Sequence, residues 1–469
     1  MKGASEPIDL LLSLSRDGPA TLGAQIEDQV RRAVRRGTLK PGSRVPSMRD
    51  LARQLGVSRK VVADAYSQLA AEGYLILRQG ARPHVSRTVA GSAAPGVEAV
   101  TPAPRARFDF RPSTPDVSTF PRASWLRSLR AALAIMTDDD LGYGDPRGVA
   151  VLRTALADYL GRVRGVAAAP EQIVVTSGFW QGLGLVCRAL ATAGVRRIAF
   201  EDPSHPDPRS IATHAGLTVV PVEVDDGGIR VDALAGTGAV VLTPAHEDPT
   251  GAVLAGERRA ALVAWLRASG AFAIEDDYDA EYRYDRAAVG ALQGLDPDHV
   301  IYAGSTSKTL APALRLGWLV VPQSLLEAVT HAKLLADQGS PRIDQFAFAD
   351  FLARGELDRH MRRMRARYHA RRDAMVGALA DALPEATIRG VAAGLHAIVE
   401  LPAGDDEQAI RDEARRHGIA LAILDSYRID PRDRPPTLLL GYGQVSESAI
   451  RAGIAELAAA VRAARSRPS

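Results

Sequence analysis

The chain has 469 residues, 46% of them hydrophobic, which suffices for two to four domains with their own cores and excludes a small stapled scaffold. Its 58 Lys and Arg against 55 Asp and Glu leave a net +3, which selects no partner, and the single cysteine, Cys187, excludes an internal disulfide framework and a cysteine zinc site. The N-terminus lacks a long apolar segment with a small-residue cleavage site, and no run of about 18 apolar residues occurs, so a soluble cytoplasmic protein is expected.

The near-neutral average hides an asymmetry. Residues 1–90 hold 15 Lys and Arg and 8 Asp and Glu, a net +7, while the other 379 residues carry 43 against 47, a net −4. In chain order, Thr21 is placed to cap a helix whose apolar positions Leu22, Ile26, Val30 and Val34 recur every four residues, with Gly37 at its C-terminal end. Ser47 with Asp50 three residues on resembles a capping box, followed by the inward positions Leu51 and Leu55. Gly56 makes a turn, Ser58 caps the next helix, and Val62, Tyr66 and Leu69 form its buried stripe. Two short β-runs, Tyr74–Arg78 and Arg82–Ser86, flank a Gly-containing turn. This is the spacing of a helix-turn-helix with a wing. The N-terminal positions of a recognition helix reach base edges and favour phosphate, and here they are Ser58, Arg59 and Lys60. Arg44 and Arg49 lie near the preceding helix, and Arg78 and Arg82 lie on the wing, suited to phosphates or the minor groove. Residues 1–89 are read as a DNA-binding domain.

Residues 90–107 are rich in Ala, Gly and Pro and read as a flexible linker. From 108 to 469, apolar runs such as IVVTSG, RRIAFED, AFAIEDD, VIYAGS and RLGWLVV alternate with helical stretches. That pattern predicts an α/β fold, a mainly parallel sheet with helices on both faces and a smaller C-terminal α+β lobe. In GSTSKTLAPALRLGW, Lys308 follows a strand between Ser305 and Ser307, with Arg315 seven residues on. A desolvated lysine is a nucleophile suited to a Schiff base with a phosphorylated aldehyde, while Arg315 and the serines suit its phosphate. In AIEDDYDAEYRY, Asp276 is placed to pair with a pyridinium nitrogen and Tyr278 to hydrogen-bond a ring hydroxyl. The rival reading is a metal cluster of Asp276, Asp277 and Asp279.

The segment PGSRVPSMRDLARQLGVSRKVVADAYSQLAAEGYL resembles the winged helix of GntR-type regulators, although the wing has GARPHV where relatives usually have GSGTFV. With it, FDFRPSTPDVSTFP, LGYGDPRGVAVLR, EDPSHPDPR, TPAHEDPTG, IEDDYDAEYRY and GSTSKTLAPALRLGW occur in the order of the MocR subfamily, in which a winged helix is fused to a fold type I aminotransferase-like domain. The resemblance covers nearly the whole chain. It implies pyridoxal 5'-phosphate (PLP) on Lys308, a homodimer, promoter DNA as partner and a small-molecule effector. It also implies that Ser177 and Gly178 begin a phosphate cup, that His205 stacks on the ring, that Asp248 contacts the ring oxygen, and that Tyr143 reaches the neighbouring subunit's phosphate.

The chain departs from that pattern at several points. Phe179 and Trp180 replace a small hydroxyl residue and Gln, so the cup leans on backbone N–H groups. His205 replaces a common Tyr, and Glu247-Asp248 replaces a Gln-aromatic pair. In PPTLLLGYG, leucine stands where transaminases carry the arginine that clamps a substrate carboxylate; Arg428, Arg432 and Arg434 lie nearby without an evident two-point fork. The leucines resemble the PdxR-like group, in which PLP itself is the effector and vitamin B6 synthesis the target. Three readings follow: a PLP-dependent transcription regulator, an active aminotransferase with an accessory DNA-binding domain, and a dimerisation scaffold that has lost PLP.

Overall fold

In a computed structural model of the chain, residues 12–87, 106–279, 281–284, 289–389, 393–430 and 434–466 are described. Most of the expected linker and Arg432 fall outside them. Two compact units result, Met1–Pro104 and Arg105–Ser469.

The first unit contains α1 (Leu22–Arg35), α2 (Met48–Leu55) and α3 (Arg59–Ala71). Their starts are set locally: the side chains of Thr21, Ser47 and Ser58 each accept a first-turn N–H. Gly56 adopts φ +64°, the left-handed geometry that closes α2 and turns the chain into α3. The capping box is incomplete, because Asp50 accepts the Ser47 hydroxyl at 2.7 Å instead of a backbone N–H. Ile26, Val30, Leu51, Val62, Tyr66 and Leu69 pack into one core. The wing strands are shorter than expected, β1 (Leu75–Ile76) and β2 (His84–Val85), paired antiparallel with Leu75 opposite Val85.

In the second unit a short β3 (Phe108–Asp109), α4 (Arg122–Ile135) and α5 (Ala150–Arg164) precede an eight-stranded sheet. The elements of this sheet are β4 (Ile173–Thr176), α6 (Phe179–Thr192), β5 (Arg197–Asp202), α7 (Pro206–His214), β6 (Thr218–Asp225), β7 (Gly228–Ile229), β8 (Ala239–Leu242), α8 (Gly256–Ser269), β9 (Phe272–Asp277), β10 (Val300–Ser305) and β11 (Gly317–Val320). The spatial order is β4-β11-β10-β9-β8-β5-β6-β7; β10, β9, β8, β5 and β6 are parallel, and β11 runs antiparallel between β10 and β4. Successive strand residues enter opposite cores, Val175 joining Leu152 and Leu156 of α5, and Val174 joining Leu183 and Val186 of α6. Both faces are therefore covered, as a buried parallel sheet requires.

Helices α9 (Gln323–Asp337), α10 (Arg342–Ala353) and the long α11 (Glu356–Ala382) lead to a smaller lobe. There β12 (Thr387–Arg389), β13 (His396–Glu400), α12 (Glu407–Arg416), β14 (Ile419–Ala420), β15 (Ala422–Ile423), β16 (Thr437–Gly441) and α13 (Glu447–Arg465) form an antiparallel sheet ordered β12-β13-β16-β15, with β14 pairing back to β3. Among the described residues no helix is long and apolar enough to cross a membrane.

Candidate cofactor site and nucleic-acid interface

In the first unit the cations fall into two classes. Arg31 of α1 pairs with Glu72 at 2.9 Å, which ties α1 to the end of α3, and Arg32 pairs with Asp28 at 2.5 Å within α1. Arg44, Arg49, Arg59, Lys60, Arg78 and Arg82 are exposed, and among the described residues none of their charged groups has a carboxylate partner. Arg59 and Lys60 open α3, whose cap uses the Ser58 hydroxyl on the Val61 N–H at 3.3 Å. Arg44 belongs with the wing rather than with α2, since it bridges to His84 of β2. Tyr66 donates its hydroxyl to the Pro46 carbonyl at 3.1 Å and so fixes α3 against the entry to α2.

In the second unit a cavity of about 580 Å³ opens beyond the C-terminal ends of β5, β8, β9 and β10. Asp276, Tyr278, Ser305, Ser307, Lys308, Arg315, His205 and Asp248 all line it, although they come from four separate stretches of chain. Lys308 is placed by a tight turn after β10, in which Leu310 and Ala311 donate to the Thr306 carbonyl while Thr306 is held to Leu316. Its Nζ donates to the Ser113 carbonyl at 2.6 Å. Burial lowers its pKa below the ordinary lysine value, against the opposite pull of Asp248, Asp276 and Asp279.

Arg315 adopts φ +50° and donates to the Ser177 carbonyl at 2.5 Å. It lies against Gly178, which caps α6 without a side chain; a Cβ there would stand 3.3 Å from the guanidinium, and one on Gly317 would stand 2.8 Å from the Gly178 Cα. Two glycines thus let an arginine meet the N-terminus of α6, whose first N–H groups and dipole favour an anion. The Ser177 N–H is not offered to that site, because Gln181 Oε1 accepts it at 2.7 Å. Gln181 is itself held by the buried Lys333 at 3.0 Å.

Asp276 and Asp277 show why the metal reading fails. They are neighbours on β9, so their side chains take opposite faces of the sheet. Asp277 lies in the core with Arg164 at 2.7 Å and the Tyr302 hydroxyl at 2.6 Å, and Asp279 lies 3.1 Å from His246. Asp276 alone faces the cavity, and among the described residues it has no hydrogen-bond donor. Burial, then Asp248 and Asp277, push its pKa well above the usual carboxylate value, and Lys308 opposes them. A cationic ring nitrogen is the partner such a group lacks.

The Tyr278 Oη lies 3.0 Å from His246 Nδ1. Burial lowers a histidine pKa, yet Asp279 outweighs it and holds His246 above its ordinary value. One oxygen of Asp248, Oδ1, is buried without a partner. His205 receives the Asp207 N–H on Nδ1 at 3.3 Å, and its ring meets those of Tyr427 at 5.8 Å and Trp180 at 6.5 Å. Tyr143 lies outside the cavity and is 82% exposed.

Several contributors went unnoticed in the sequence. Ser113, at φ +58°, presents the carbonyl that receives Lys308, and Tyr427 comes from the small lobe to brace His205. Glu201 accepts from the Thr243 N–H and hydroxyl at 2.8 and 2.9 Å, and burial pushes its pKa up to about 7. Both Ser113 and Glu201 sit in motifs whose order was recognised without a role for each residue. Leu438, Leu439 and Leu440 are fully buried in β16, and neither Arg428 nor Arg434 lines the cavity, which leaves Arg315 as its only guanidinium among the described residues.

Residues 22–85 match the bacterial regulatory proteins, gntR family, and residues 116–433 match aminotransferase class I and II. The pyridoxine biosynthesis regulator PdxR of Corynebacterium glutamicum is 33% identical over 460 residues, 97% of this chain and 99% of the relative. The probable rhizopine catabolism regulator MocR of Rhizobium meliloti is 31% identical, over 97% of each chain. Among solved structures, an archaeal alanine:glyoxylate aminotransferase is 26% identical with a TM-score of 0.70, over 76% of this chain and 91% of that one. A Pyrococcus horikoshii kynurenine aminotransferase is 25% identical with a TM-score of 0.70, over 77% and 92%. The fold and these neighbours imply pyridoxal phosphate as the cofactor, which the lysine, the arginine at a helix N-terminus and the unpartnered Asp276 fit. The chain belongs to the MocR-type GntR regulators, in which a winged helix is joined to an aminotransferase class I and II domain.

Proposed function

We propose that the protein binds promoter DNA through its winged helix as a cytoplasmic homodimer, and that its second domain holds pyridoxal phosphate to report a small-molecule effector, PLP itself or an amine that reacts with it. When bound, the cofactor supplies an aldehyde carbon and an electron-accepting ring. Lys308, its pKa lowered by burial, would supply the amine for that chemistry. Arg315 and the Ser305 and Ser307 hydroxyls, with the N–H groups opening α6 at Gly178, hold the phosphate, and Ser177 positions Arg315. Asp276 keeps the ring nitrogen protonated, Tyr278 hydrogen-bonds the ring oxygen, and His205 provides a flat wall. Asp248 adds negative charge beside the ring oxygen. Exposed Tyr143 is available to a neighbouring subunit, and exposed Leu126, Leu133 and Ile135 of α4 support an apolar dimer face.

One observation carries the regulatory reading over efficient transamination: the cavity has Lys308, Asp276 and Arg315, but among the described residues no second arginine to orient a substrate carboxylate. The test is to add PLP to the purified chain and record visible absorbance and promoter-DNA affinity together. Wild type gains the absorbance and its DNA affinity shifts; Lys308→Ala gains neither. Turnover of amino donors and keto acids at ordinary transaminase rates would overturn the sensor reading.

A further inference from the structure

A second cavity of about 370 Å³ lies where the β6–β7 hairpin and residues 250–253 face the small lobe. It shares no lining residue with the cofactor cavity. An apolar cluster stands between them: Ile398 and Leu424 line the second cavity, Leu439 packs with them, and Tyr427 turns to His205 of the first.

Arg428 lines this second cavity with its Nε fully buried, and among the described residues its guanidinium has no hydrogen bond or ion pair. Of the carboxylates that act on it, exposed Asp425 takes only Gln408 at 3.5 Å among the described residues, while Glu407 and Asp202 are engaged by backbone. Of those that line the cavity, Asp225 and Glu400 pair with Arg258 and Arg389 at 2.7 and 2.6 Å, and Asp226 lies beside them. Glu407 accepts the Asp425 and Thr437 N–H groups at 3.1 and 2.6 Å, and Asp202 accepts those of Ile429 and Asp430 at 2.8 and 3.2 Å. Arg434 faces the same cavity and spends one nitrogen on Glu223 at 2.9 Å. Two neighbouring cations, one of them unpaired among the described residues with its Nε buried, are costly unless an anion joins them.

We propose that this cavity is a second ligand site, which takes a small anion, a carboxylate or phosphate monoester, on the Arg428 fork with Arg434 beside it. A guanidinium matches either group by two parallel N–H donors. The site is also wired to the cofactor cavity. Next to Arg428, the Tyr427 carbonyl accepts the Ser204 N–H at 2.9 Å and Arg209 at 2.8 Å, and its ring braces His205. An anion that pins Arg428 therefore stiffens one wall of the first cavity.

The experiment titrates succinate and, separately, inorganic phosphate into the purified full chain preloaded with PLP, so that the Arg315 site is occupied, by calorimetry with thermal unfolding in parallel. Wild type binds one anion per chain, and the anion that binds identifies the ligand chemistry. Arg428→Leu weakens it about tenfold or more, and Arg434→Gln a few-fold. Without anion, Arg428→Leu melts at or above the wild-type temperature, because it removes a part-buried cation with an unpartnered Nε; with anion only wild type is stabilised. The proposal is overturned if wild type binds neither anion, if Arg428→Leu binds as tightly, or if Arg428→Leu melts well below wild type without anion, which makes the arginine a structural cation.

Discussion

In the winged helix, Arg31 is paired with Glu72 across two helices and Arg32 with Asp28 within α1, whereas Arg59, Lys60, Arg78 and Arg82 stand exposed with no carboxylate partner among the described residues. In the aminotransferase-like domain Arg164 is committed to Asp277 at 2.7 Å and Arg371 to Asp116 at 2.8 Å inside the fold, while Asp276 and Asp248 face the cofactor cavity with oxygens unmet among the described residues. The contrast separates charges that hold a fold from charges kept for a partner. One unit withholds cations for a polyanion, and the other withholds carboxylates for the cofactor side of its cavity.

The contrast can be broken by exchanging the classes. The largest effect is expected for Asp277→Asn, which leaves Arg164 buried beside a neutral amide and costs about 3–5 kcal/mol of domain stability in urea unfolding; a loss below about 1 kcal/mol would take this pair out of the structural class. Next comes Glu201, whose folded pKa of about 7 lies above its ordinary 4.5. Between those values the folded state keeps a proton that the unfolded chain has released, so stability falls as pH rises through this window, and Glu201→Gln should flatten that slope. In the partner class, Arg59→Ala should weaken DNA binding by about 1–3 kcal/mol and relax sequence preference if it reads a base, or weaken all sequences alike if it meets phosphate, with folding unchanged. An unfolded winged helix would instead place Arg59 with the structural cations. Smallest is Ser58→Ala, worth about 1 kcal/mol in the stability of α3 through its lost cap.

The helices of the winged helix were legible because their signals are local. Thr21, Ser47 and Ser58 act on N–H groups two or three residues away, and Gly56 turns the chain by its own φ. Lys308, Arg315 and Asp276 were legible for a related reason, since each lies close to an end of a strand that the sequence marks with an apolar run: Lys308 soon after β10, Arg315 just before β11, and Asp276 at the end of β9. The acidic run was ambiguous until strand alternation sent Asp277 to Arg164 and left Asp276 at the cavity. Ser113, Tyr427 and Arg428 were not legible as site residues, because their partners lie in other elements: the Ser113 carbonyl receives Lys308 from 195 residues away.

The sequence by itself determined that a basic unit of net +7 is joined to an acidic one of net −4, where each helix of the first begins, and which residue types stand at the ends of the central strands. Those properties follow from composition, capping and periodicity, which act over a few residues. Only the tertiary structure decided which charges are spent on one another. Pairing depends on how strands alternate and on how the small lobe returns to the large sheet, and it is this return that sets Tyr427 against His205 and leaves the Arg428 Nε buried with no partner among the described residues.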